Sequence, residues 1–237
     1  MVYFRRSIRR REPVGAAQHP GWPEATNRVR LSDGSEVYLR PLLFADFRAW
    51  QAIRMGDRAL LEPVEPTLQD WDGSHSWTGF SRYFHSLRSQ ALQGEAVPMA
   101  IVVDGAFAGQ MTVSEMEVGH QGWVGYYVGS RFQGRGVATA ATALMVDHMF
   151  ARTGVHRLAA TYLPSNPASG KVLSACGFKQ EGLLRSYLHI AGQWEDHYVV
   201  GLVRDDYLTG AVQRLMQAGR VRAVGAPPRG SSPGPIP

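Results

Sequence analysis

The chain has 237 residues, 44% of them hydrophobic and 19% charged, enough for one large folded unit or two small ones with a real core. No apolar run approaches the ~20 residues of a membrane span, and the start, Met1 to Pro13, lacks the apolar stretch of a secretory leader. A single cysteine, Cys176, excludes an intramolecular disulfide framework and fits a reducing cytoplasm, and no His/Cys cluster has metal-ligand spacing. The formal net charge of +5 sits at the ends. Residues 1–30 hold seven arginines against Glu12 and Glu24, and residues 208–237 hold four arginines and no acid, which leaves the middle at −4. Such basic ends act as solubilising tails or as a contact for RNA or the ribosome.

Taken in chain order, residues 1–27 mix Arg, Pro and Gly without period and are expected to be disordered. Val29 to Leu31 and Glu36 to Arg40 read as a strand pair joined at Asp33-Gly34. Phe44, Phe47, Trp50 and Ile53 fall on one helical stripe, and Ser76 to Gln90 is a second helix. Met99 to Val103 and Phe107 to Met116 form a hairpin across Asp104-Gly105, followed by a strand from Gly122 to Val128. Val137, Ala141, Leu144, Met145 and Met149 make the core stripe of a helix that Gly154 ends. After a strand from Arg157 to Leu163, Asn166-Pro167 opens a helix with a capping side chain and a first-turn proline, and Gly177 closes it. Leu183 to Ile190 and Gln193 to Val203 pair across Ala191-Gly192, and Ala211 to Val221 reads as a short basic helix before a Pro/Gly/Ser end. These elements define a domain over 28–208 with flanks 1–27 and 209–237, a mixed α+β unit with a mostly antiparallel sheet.

The most informative stretch is the loop Ser130 to Ala138, which joins an apolar strand to a helix. Backbone N–H groups and the positive end of a helix dipole converge there, which suits phosphate. Gly134 and Gly136 allow close approach to the main chain, and Arg135 adds a mobile positive charge. A Walker loop is excluded because neither Lys171 nor Lys179 lies in it, and the dinucleotide fingerprint fails at Thr139.

What fits is Gln-x-x-Gly-x-Ala, read as Gln133, Gly136 and Ala138, which resembles the acyl-CoA pyrophosphate loop of the GNAT superfamily of N-acetyltransferases. Tyr162 to Gly182 resembles the second signature of that family, an Asn-capped helix ending in Gly-Phe. Arg40-Pro41, Glu181-Gly182 and Gly192-Gln-Trp-Glu-Asp-His197 are similar to the ribosomal-protein-alanine N-acetyltransferases of the RimJ/RimL type, and the resemblance spans residues 29–207. It implies a sheet of about seven strands splayed between the fourth and fifth, with acetyl-CoA in the splay and no metal. The implied acetyl-CoA contacts are Tyr127, Val128, Gln133, Gly134, Arg135, Gly136, Val137, Ala138, Thr139 and Asn166.

The implied chemistry is direct attack of a neutral amine on the thioester, with the Val128 N–H meeting the oxyanion. The tyrosine acid of many family members is replaced by Leu173, so Ser169, three residues after Asn166, is the implied acid. Glu115 is the first choice for the base, ahead of Glu117, His189 and Asp196, and the carboxylate that the family suggests near Leu188 is missing. Cys176, with no His/Asp partner signal, is not a nucleophile. Trp71, Trp77, Phe80 and Tyr83 wall a peptide groove or belong to the core. Three functions remain open: acetylation of a protein N-terminus, most simply a ribosomal protein's; acetylation of a small amine; and a non-catalytic CoA-binding adaptor with basic tails.

Overall fold

The computed structural model describes residues 21–116 and 120–224. Glu117, most of the expected N-terminal tail and the Pro/Gly/Ser end lie outside the described residues. Val29–Leu31 (β1) and Glu36–Pro41 (β2) pair as expected, and Asp33 Oδ1 accepts the Ser35 N–H at 2.9 Å to hold the turn between them. Phe47–Gly56 (α1) is followed by two single turns that carry no periodic signal, Arg58–Leu61 (α2) and Trp71–Ser74 (α3). Trp77–Leu92 (α4) begins where the Ser76 hydroxyl accepts the Gly79 N–H at 3.1 Å. Val97–Val103 (β3), Ala106–Ser114 (β4) and Gln121–Val128 (β5) form a meander. Val137–Arg152 (α5), Arg157–Tyr162 (β6), Pro167–Ala175 (α6), Lys179–Ile190 (β7) and Gln193–Val203 (β8) complete the expected set, and Ala211–Gln217 (α7) and Val221–Ala223 (β9) follow.

The strands build one sheet in the order β7-β8-β6-β5-β4-β3-β2-β1-β9, and only β5 and β6 are parallel neighbours. Its centre is covered on both faces, so β3 is buried along its whole length instead of alternating with water. Met99, Ile101 and Val103 pack toward α5, α6 and α7 with Met145 and Leu215, while Ala100 and Val102 pack toward α1 and α4 with Trp50 and Phe80. Helix α5 is buried almost all round, wider than the stripe read from sequence.

The fold is the expected one, with one correction of strand count and one of extent. Among the described residues the sheet has nine strands, not about seven, because β1 and then β9 add to the edge of β2, so the splay falls between the fifth and sixth strands. The boundaries at 28 and 208 also cut through packed structure. Trp22 is buried in the core, Thr26 bonds Leu39 through its N–H at 2.9 Å, and Ala211, Leu215 and Val221 are buried against the α5 layer. Asp147 of α5 caps α7 by accepting the Ala211 and Val212 N–H groups at 2.7 and 3.2 Å, since Gly210 has no side chain to do so.

Candidate active site

Strands β5 and β6 stay paired only from Gln121–Arg157 to Trp123–Ala159. Beyond that they part, and a cavity of about 1230 Å³ opens between Val124–Val128 and Ala160–Leu163. The Gly129 N–H bonds Ala108 on β4, so by strand alternation the N–H and carbonyl of Val128 face the other way, into the splay. There the Val128 carbonyl accepts from Gln133 Nε2 at 2.8 Å, which ties the loop to the strand. The Val128 N–H is left pointing at the gap.

One end of the cavity is built for an anion. Helix α5 starts at Gly136 with no side-chain cap, and its ladder begins at the Ala140 N–H, bonded to Gly136 O at 2.9 Å. The N–H groups of Val137, Ala138 and Thr139 therefore precede the ladder and line the cavity together with Gln133, Gly134 and Gly136. Gly134 and Gly136 have φ of +72° and +86°, and a Cβ on either would meet nothing within 4 Å. Left-handed geometry and open space explain both glycines, and the site fits a pyrophosphate held by main-chain donors. Arg135 does not line the cavity. Its Nε donates to Asp33 Oδ2 at 2.7 Å and its Nη2 to Ser35 Oγ, so the expected mobile charge is a tether between the loop and the β1–β2 turn. The Ser35 N–H and the Arg135 guanidinium hold the Asp33 carboxyl down at about 2. Asp57, at the end of α1, pins the loop from the other side through Ser130 N–H and Oγ at 2.7 and 2.6 Å.

Midway along the cavity Asn166 caps α6 by accepting the Ser169 N–H at 3.3 Å, and the Ser169 hydroxyl lies 3.1 Å from Tyr126 Oη of β5. The two hydroxyls thus bridge the splay. Burial pushes the Tyr126 hydroxyl up to about 12, so it remains a donor throughout the working range. Sequence reading missed Tyr126, which sits beside Tyr127 with nothing but strand parity to separate them. Leu173 is buried at the same wall. Burial also pushes the Cys176 thiol up to about 12, and its Sγ faces Thr139 O at 3.4 Å, so it is a packing residue.

The far end is lined by residues of α1 to α4, β4, β7 and β8. Arg54, 7% exposed, stacks between Tyr127 and Trp71 at 4.9 and 5.0 Å, and both of its terminal nitrogens hold the Glu65 carboxylate. Its Nε donates to His75 Nε2 at 2.9 Å, while His75 Nδ1–H donates to Trp71 O at 2.6 Å. Because Nε2 accepts from Arg54 it carries no hydrogen, and burial and the nearby Arg54 lower the His75 pKa in the same sense. Tyr127 lines the cavity under the Arg54 guanidinium, and its hydroxyl is buried without a partner among the described residues.

Glu115 is not brought to the cavity. Strand β4 ends at Ser114, and Glu115 turns away with φ +51°, exposed to solvent, so the first choice for the base is not placed to reach an acceptor there. His189 faces Thr67 Oγ1 at 3.1 Å, and Asp196 accepts the Ser186 N–H at 2.7 Å at the β7 bulge; neither lines the cavity. Glu65 and His197 do. Of the four groove aromatics only Tyr83 lines it, whereas Phe80 is core, Trp71 supports Arg54, and Trp77 lies 52% exposed.

Comparison with known proteins identifies the fold's family. Residues 36–179 match the family model described as an acetyltransferase (GNAT) domain. The solved structure of Mycobacterium smegmatis RimJ in complex with CoA-disulfide superposes with a TM-score of 0.83 at 39% identity, covering 87% of this chain and 100% of that one. The ribosomal-protein-S5-alanine acetyltransferase from Vibrio fischeri gives 0.67 at 30% identity over 72% of this chain and 94% of its own. The [ribosomal protein uS5]-alanine N-acetyltransferase of Escherichia coli is 36% identical over 91 residues, 38% of this chain, and the match spans about half of that relative, 47%. The chain belongs to the GNAT family of acetyltransferases.

Proposed function

We propose that this protein is an acetyl-CoA-dependent N-acetyltransferase whose acceptor is the N-terminal α-amine of a ribosomal protein. The observation that carries this is a cavity that passes through the sheet, with main-chain anion donors at one end, a hydroxyl pair at its middle and a separate polar chamber at the other. Two substrates can therefore meet from opposite faces. Likeness to the ribosomal-protein-S5-alanine acetyltransferase of Vibrio fischeri and the uS5-alanine enzyme of Escherichia coli supports the acceptor class.

In this mechanism Gln133 to Thr139 and Asn166 hold acetyl-CoA along the splay. The acceptor nitrogen attacks the thioester carbon, the N–C bond forms as the C–S bond breaks, and the Val128 N–H meets the oxygen as charge develops on it. Ser169, hydrogen-bonded to Tyr126, returns a proton to the leaving sulfur. An α-amine, with a pKa of roughly 7.7–8.0, is partly neutral near pH 7.5, so the base need take a proton only as the N–C bond forms.

The test is incubation with labelled acetyl-CoA and a panel of peptides varied at their first residues, alongside amino acids, polyamines and aminoglycosides. Label on peptide α-amines is the expected result. Label on a small amine and on no peptide would overturn the acceptor assignment, and label on nothing would favour a binding module.

A further inference from the structure

The stretch Gly192 to His197 serves above only as a mark of resemblance. We propose that His197 is the general base of the reaction, taking the acceptor amine's proton on Nε2, a role that rests on the acetyl-transfer function proposed above.

Among the described residues three cavity-lining side chains are carboxylates or imidazoles: Glu65, His75 and His197. Glu65 is gripped by both terminal nitrogens of the buried Arg54. Both ring nitrogens of His75 are engaged, one by Trp71 O and the other by Arg54 Nε. His197 differs. It is 3% exposed, and its Nδ1 lies 3.1 Å from Glu195 O. A carbonyl oxygen only accepts, so Nδ1 carries the hydrogen and the lone pair of the neutral ring sits on Nε2, which has no partner among the described residues. An edge-on contact with Tyr187, centroids 5.6 Å apart, further fixes the ring.

Placement agrees with tautomer. Tyr198 packs on Tyr162, 5.5 Å between centroids, on the α6 side of the sheet, where Gly170 abuts the Tyr162 ring. Alternation along β8 puts His197 on the opposite face, the one covered by α1 to α4 and reached by the acceptor. Ser169 and Tyr126 stand on the α6 side. The geometry thus separates the two proton tasks across the splay. As the nitrogen attacks, one amine proton passes to Nε2 and the sulfur gains one through Ser169. The imidazolium then returns its proton to solvent, from which the hydroxyl pair is replenished, so the net transfer is from amine to thiol.

Two measurements on the full chain decide this. ¹⁵N NMR, assigned by comparison with His197→Asn, should show His197 as the Nδ1–H tautomer with an unprotonated Nε2; an Nε2–H tautomer would overturn the proposal whatever the acceptor proves to be. With the best amine from the panel above, His197→Asn should lower kcat at least about 10²-fold while the acetyl-CoA Kd and melting temperature stay close to the parent's. His197→Ala should regain activity with added imidazole, a rescue that a packing role would not give. Parent-like turnover of His197→Asn sinks the base while leaving acetyl transfer intact. If the parent labels no acceptor, the proposed function fails first and the tautomer alone decides the histidine.

Discussion

At the scale of single residues, Ser169 and Tyr126 share one 3.1 Å contact, and their substitutions should separate proton donation from binding. Ser169→Ala is expected to lower kcat by about 10²- to 10⁴-fold, the usual range for a lost general acid, with acetyl-CoA affinity within a few-fold by calorimetry. Tyr126→Phe removes only the partner of that hydroxyl and should cost about tenfold, in line with one hydrogen bond. Because burial holds Tyr126 at about 12, it is protonated at every working pH, and its loss would depress activity only in strong alkali. The α-amine must lose its proton, so activity should climb through about pH 8 and then level off. A falling limb between about pH 8 and 10 would remove this pair from the donor role. At the anion end, Gly136→Val forces a branched side chain to φ +86° and into ligand space, and left-handed strain alone is about 1–3 kcal/mol. The acetyl-CoA Kd should rise at least about tenfold, whereas Arg135→Ala, which cuts a surface tether to Asp33, should change it less than about threefold. An unchanged Kd for Gly136→Val would sink the pyrophosphate assignment. The glycines and Asn166 were legible because their tasks are local, set by φ or by a helix start three residues away. Arg54, Glu65, His75, Tyr126 and His197 were not, because each acquires its role from a partner on another element or from which face of a strand it takes.

Among the elements, the outer edge of the sheet separates what composition suggests from what packing requires. Trp22 sits in an Arg/Pro/Gly-rich stretch and β9 is three residues with one buried side chain, Val221, so neither carries a pattern that periodicity detects. Both are nonetheless seated in the same core layer as Ala211 and Leu215. The two short turns α2 and α3 were illegible for a related reason, being too brief for a 3.6-residue repeat, although they flank Glu65 and include Trp71. By contrast α4, α5, α6 and the β3–β4 and β7–β8 hairpins announced themselves through caps, stripes and turn residues. A chain cut to 28–208 loses, among the described residues, four buried apolar groups, of which Trp22, Leu215 and Val221 are worth roughly 1.5–3 kcal/mol each. Against a total of about 5–15 kcal/mol this is a large share. At about 2–4 °C per kcal/mol for a domain of this size, the melting temperature should drop by at least about 10 °C, or the fragment should not fold. A chain of 21–224 should melt within a few degrees of the parent. Equal melting of 28–208 and 21–224 in calorimetry would mean that Trp22, α7 and β9 add nothing to the core.

For the molecule as a whole, charge and structure divide along the same line. Residues 21–224 are formally neutral, and the flanking residues 1–20 and 225–237 carry the entire +5, mostly as the five arginines between Arg5 and Arg11. A neutral body gives little long-range steering toward a polyanion, whereas a dense run of arginines attracts one with a strong dependence on salt. Among the described residues the cavity is lined entirely from residues 50–197. We therefore expect the flanks to affect the encounter with an acceptor and not its acetylation. On a short peptide, the full chain and residues 21–224 should share kcat and KM within about twofold, at low and at physiological salt alike. On a ribosomal protein presented in a ribosomal subunit, the full chain should show the lower KM, and its advantage should shrink steeply between about 50 and 200 mM salt as counterion release loses its driving force. Replacing the five arginines from Arg5 to Arg11 with glutamine should reproduce most of the truncation, since charge and not length carries the effect. If the flanks change kcat on the free peptide, they enter the site. If the full chain and the truncated one acetylate the subunit-bound protein equally at every salt concentration, the arginines serve solubility, and acceptor choice belongs to the chamber between Arg54 and His197 alone.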